Sequence, residues 1–105
     1  MNKEISYSAK GHVLGNYWGG GKGSYPTILL RANTIEELLE KSKAALANGS
    51  LDSGMGFEKL IGAVLDVTVI TTIIFEDKEF TNKETETHII GNLTEDEEEF
   101  LLEIY

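Results

Sequence analysis

Cysteine is absent from this 105-residue chain. That alone excludes a disulfide framework, thiolate zinc sites and a cysteine nucleophile. Histidine occurs only at positions 12 and 88, and no H-E-x-x-H run surrounds either, so no metal centre is expected. No apolar run approaches the roughly 18 residues that a membrane-spanning helix needs. The opening MNKEISYSAK also lacks the apolar centre of a secretory signal. The expectation is a cytoplasmic protein with no membrane role. Positive charge is scarce too, with nine basic residues against eighteen acidic and a net charge of −9. The deficit is local: residues 76–105 hold eleven carboxylates and two lysines, whereas residues 1–75 balance seven against seven. General nucleic-acid binding is disfavoured, because phosphate contacts need a basic surface. The neutral part, with Lys3, Lys10, Lys22 and Arg31, retains the means to hold a small anion.

What is present suffices for one core. An apolar fraction of 41% is ordinary for a globular chain, and the length suits a single domain over 1–105. EISYSAKGHV alternates as a half-buried strand, and TILLRA reads as a second. Between them runs GNYWGGGKGSYP, an unusually long hairpin loop. Thr34 and Glu37 form a capping-box pair ahead of a helix whose apolar side carries Ile35, Leu38, Leu39, Ala45 and Leu46. Asn48-Gly49 ends that helix. A second glycine-rich stretch, GSLDSGMGFEKLIG, follows, with one helical turn expected at 57–61. AVLDVTVITTIIF, 63–75, is apolar at odd positions and also at Val64, Ile70 and Ile74. A strand apolar on both sides is covered on both, by helices or by a second subunit, so a homo-oligomer is expected. EFTNKETETHII returns as a polar outer strand, and Thr94 with Glu97 caps an acidic helix over 95–104. The order β-β-α-β-β-α predicts an α+β fold, mainly antiparallel, with helices in one layer or on both faces.

Catalytic and nucleotide motifs fail one after another. In the P-loop pattern, Asn16 stands at the first glycine position and Gly23 at the hydroxyl position. In the dinucleotide pattern, Ser24 replaces the last glycine. No G-x-S-x-G elbow surrounds Ser24, Ser50 or Ser53. No enzyme and no cofactor is predicted. What remains is glycine-rich backbone, whose N–H groups can converge on an anion because no Cβ blocks the approach. The candidate ligand site therefore comprises Tyr17, Trp18, Gly19, Gly20, Gly21, Lys22, Gly23, Ser24 and Tyr25. Gly54, Gly56, Phe57 and Lys59 join it from the second loop. Nest, aromatic face and lysine together suit a small phosphorylated ligand, such as a nucleotide.

YPTILLRANTIEELLEKSKAAL resembles the strand-then-helix stretch of HicB-type antitoxins, over about a fifth of the chain and without their flanking motifs. In length, acidity, lack of cysteine and α+β texture the whole chain resembles small phage-encoded anti-defence proteins. That resemblance implies one of two roles: an oligomeric sponge for a nucleotide immune signal, or an acidic inhibitor of a basic host protein such as a defence nuclease. The sponge would use the neutral N-terminal part, the inhibitor the acidic C-terminal third.

Overall fold

The computed structural model describes residues 2–54 and 56–104. Its elements are β1 (Asn2–Asn16), β2 (Lys22–Pro26), β3 (Leu30–Ala32), α1 (Ile35–Asn48), β4 (Lys59–Phe75), β5 (Lys78–Gly91) and α2 (Glu95–Glu103). The strands form one antiparallel sheet in the order β2-β1-β4-β5, with β3 also paired to β1. The expected fold, built on β-β-α-β-β-α, is overturned: the order is β-β-β-α-β-β-α. The extra strand comes from the supposed loop, where Gly23, Ser24 and Tyr25 pair with Gly15, Leu14 and Val13. Thr27 then interrupts the ladder. Its hydroxyl accepts the Gly11 N–H at 2.9 Å, and the Ile28 N–H turns away to Leu51 O at 2.8 Å. The chain rejoins β1 only at Leu30, opposite Ala9. A side-chain hydroxyl that replaces a ladder bond leaves periodicity unchanged, so TILLRA read as one strand.

The two faces of the sheet are covered by different helices. Successive strand residues point to opposite sides. Ala63, Leu65 and Val67 of β4 thus meet Leu38 and Ala45 of α1, together with Ala9, Val13 and Ile90. Val64 points the other way and, with Leu14, receives the fully buried Leu101 of α2. The first half of β4 is therefore apolar on both sides because two helices of the same chain cover it. No second subunit is needed there, which corrects the reasoning from Val64. No helical turn forms at 57–61 either, since Lys59 already pairs with Asn16 at the start of β4.

Both helices are capped, in different ways. Thr34 Oγ1 accepts the Glu37 N–H at 3.1 Å, but the Glu37 carboxylate reaches the Asn33 N–H at 3.4 Å, so the reciprocal bond to Thr34 is not made. Gly49, at φ 81°, closes α1 in the left-handed conformation. In α2 the box is complete: Thr94 N–H donates to Glu97 Oε1 at 2.9 Å, and Glu97 N–H to Thr94 Oγ1 at 3.2 Å.

Past Val69, which lies level with the last β1–β3 pair, Tyr7–Ala32, strands β1, β4 and β5 continue as a three-stranded ribbon. It ends in the two-residue turn Glu76–Asp77, with φ of 50° and 64° as a tight hairpin requires. The ribbon gives the molecule its 59 × 25 × 20 Å extents. Among the described residues, no helix is long and apolar enough to cross a membrane.

Candidate functional site

The first glycine loop is a compact hairpin tip. Pairing extends to Asn16 and Lys22, which leaves only residues 17–21 unpaired. Tyr17 N–H donates to Gly21 O at 3.0 Å and Gly20 N–H to Tyr17 O at 3.1 Å, while Gly20 and Gly21 take positive φ. Trp18 is 74% exposed at this tip. A Cβ built on Gly19, Gly20 or Gly21 would meet nothing within 4 Å. Lys22 does not face the loop's open side. Its Nζ lies 2.9 Å from Glu97 Oε2, so the expected cation joins the hairpin to the first turn of α2. The hydrogen bond from Lys22, then that from the Thr94 N–H, holds the Glu97 carboxyl below its ordinary value of 4.5.

The remaining candidates fall into separate places. Tyr17 and Phe57 meet with ring centroids 5.2 Å apart, over the bare backbone of the facing pair Gly15 and Gly23. A Cβ on Gly15 would come within 2.5 Å of the Phe57 ring, and one on Gly23 would overlap the Tyr17 ring. Those glycines admit the rings, a packing device for weak strand positions. Tyr25 packs against the α1-side core, and Ser24 is half-buried opposite Leu14. The N–H groups of Gly54 and Gly56 both turn to Asp52 Oδ2, at 3.2 and 3.3 Å. The second nest thus encloses a carboxylate of its own chain. Lys59 lines a cleft of about 320 Å³ with Lys43, Asn48 and Asn92, between the end of α1 and the end of β5.

Two features lie outside the residues assigned to the ligand site, the first within the acidic third that the sequence offered to an inhibitor. On α2, Glu95, Glu99 and Glu103 recur every four residues. At 100° per residue this stripe lies opposite the buried Leu101 and points to solvent. Leu102, 46% exposed, flanks the stripe on the Glu95 side by the same geometry. Exposed Phe100 borders a cleft of about 280 Å³ with Leu14, Lys22, Asp96 and Glu97. The apolar side that TEDEEEFLLEIY predicts, Phe100, Leu101 and Ile104, is only partly taken by the sheet: Leu101 is buried, whereas Phe100 and Ile104 stay 45% and 40% exposed. The second feature is the ribbon, whose apolar residues on the α1 side extend past the helix.

The titratable groups near the histidines are dispersed. His88 Nε2 lies 3.4 Å from Glu86 Oε2, and Thr87 Oγ1 donates to Asp66 Oδ1 at 3.1 Å. His12, Lys10 and Asp66 line a shallow cleft of about 250 Å³ on the α2 side of the sheet. Among the described residues, no group of three His, Asp or Glu side chains is placed to hold a metal ion. No protein-family model, no curated protein and no solved structure matches this chain.

Proposed function

We propose that this is a non-enzymatic binding protein whose α2 face engages a basic surface on another protein. The observation that supports this reading is the outward stripe of Glu95, Glu99 and Glu103 with Leu102 at its flank. Charge steers and orients an encounter, whereas an exposed leucine contributes the desolvated contact. The helix carrying the stripe is held firmly, by Leu101 underneath and by Lys22 on Glu97 at one end. In the setting implied by the sequence resemblance, such a protein acts as an inhibitor by occupying a nuclease's basic channel. The test replaces Glu95, Glu99 and Glu103 by glutamine, which leaves the cap and the Lys22 contact intact. Immobilised wild-type protein is expected to retain a basic host protein at low salt and to release it as exposed charges are screened. Equal retention by the triple variant rejects the reading.

A second reading, a sponge for a small phosphorylated ligand, is favoured by one feature, the open glycine tip with Trp18 exposed on it. Since Lys22 is held by Glu97, a phosphate there would draw its cation from a second molecule or from displacement of Glu97. Trp18 is the chain's one tryptophan, so its emission reports on the tip alone. Titration with cyclic nucleotides that leaves both emission and melting temperature unchanged removes this reading.

A further inference from the structure

On the α1 side, the ribbon stays apolar where no helix covers it. Register places Ile5, Val69, Ile73, Phe75 and Phe80 on this one face, with Thr71 and Asn82 among them, in line with the core residues Ala9 and Val67. Phe80 is 57% exposed, Phe75 49% and Ile5 43%. A contiguous apolar face of this kind on a small acidic protein marks an interaction surface. Its charges identify the occupant. On the same face, Lys78 lies level with Phe75 at the tip and Lys3 of β1 level with Ile73 and Phe80, whereas Glu84 and Glu86 lie level with Val69 and Val67 towards the helices. The basic end and the acidic end are therefore separated along the ribbon, with the aromatic and aliphatic side chains between them.

We infer that this face binds a second copy of the chain, ribbon against ribbon, about a two-fold axis that crosses the strands midway between Phe80 and Asn82. Two-fold contacts are self-complementary: whatever one copy presents, the other presents in reverse. Stacked antiparallel at the roughly 10 Å separation of packed sheets, Lys78 of each copy lies over Glu84 of the other, and Phe75 lies over Val69. Both charge contacts form together. Parallel stacking about an axis along β4 would lay β5 of one copy over β1 of the other and set Glu84 over Tyr7, so only the antiparallel arrangement pairs Lys78 with Glu84. This dimer leaves both α2 helices on outer faces, and it does not depend on what α2 binds.

Sedimentation equilibrium over a concentration series tests the inference, with wild type, Phe80→Asp, Lys78→Glu and the double reversal Lys78→Glu/Glu84→Lys. The wild type is expected to dimerise at or below about 50 μM. Phe80→Asp should raise the dissociation constant by roughly 100-fold or more, as removal of a central anchor does. Lys78→Glu should raise it roughly tenfold, and the double reversal should return it to within about threefold of wild type. Both charge positions are exposed, so these variants report even if Phe80→Asp folds poorly. A wild type that is monomeric at about 200 μM, or a dimer indifferent to Phe80→Asp, overturns the interface. A double reversal no better than the single one overturns the antiparallel arrangement.

Discussion

Replacing Leu101 by alanine should detach α2 while leaving the sheet folded. Leu101 is the one fully buried side chain of the helix, seated on Leu14 and Val64 with Ile61 and Leu93 around it. Truncating a buried leucine removes about 2–5 kcal/mol, the transfer term plus the cavity left behind. The Lys22–Glu97 bridge, more than half exposed on the lysine side, is screened by solvent and adds little to the docking of α2. The capping box stabilises the helix but does not attach it to the sheet. The loss thus matches or exceeds what would remain to keep α2 docked. If α2 unfolded only together with everything else, a 2–5 kcal/mol loss in a domain of this size would lower the melting temperature by roughly 10–25 °C. A locally released helix limits that fall to the docking energy of α2 alone. Hydrogen exchange separates the two cases. The Glu98 amide, which donates to Thr94 O at 2.9 Å, should lose protection. The ladder amides between β1 and β4 should keep theirs, and binding through the acidic stripe should vanish. Uniform loss of protection across both regions would refute local release.

Two further outcomes follow from contacts around the hairpin. Because the folded pKa of Glu97 lies below 4.5, its contribution is complete above the unfolded value and is lost as pH falls through the depressed one. Protection of α2 amides should therefore decline on acidification from about pH 6 to about pH 3 more steeply in wild type than in Glu97→Gln; parallel profiles would remove Glu97 from that role. Gly23→Ala forces Tyr17 off Phe57 and should cost about 1–3 kcal/mol by urea denaturation. In a Tyr17→Ala background most of that cost should disappear, since the clashing ring is gone, and an unchanged cost would show that the ring is not the obstacle.

Local signals in the sequence had local causes, and these were legible. Thr34, Gly49 and Thr94 mark helix ends through their own backbone hydrogen bonds and dihedrals, so spacing alone located both helices. The two-sided apolar pattern of 63–75 announced cover on both faces, which the structure gives only to its first half, and it could not say that α2 supplies the cover on one of them. That assignment depends on where nine residues at the end of the chain come to rest, a contact between positions far apart in sequence.

The glycine segment shows why a site is harder to read than an element. Glycine serves equally where a ligand approaches backbone and where a ring does, and nothing in GNYWGGGKGSYP distinguishes the two. Here Gly15 and Gly23 admit Phe57 and Tyr17, whereas Gly19, Gly20 and Gly21 make the turn itself. Charge behaves the same way. Lys22 lies in the neutral part of the sequence and Glu97 in the acidic part, 75 residues on, yet they are one contact in space. Their pairing removes the cation from the first candidate site and ties the acidic helix to the hairpin. Charge counted along the chain therefore gave two separate surfaces, and the fold joins them at Lys22 and Glu97.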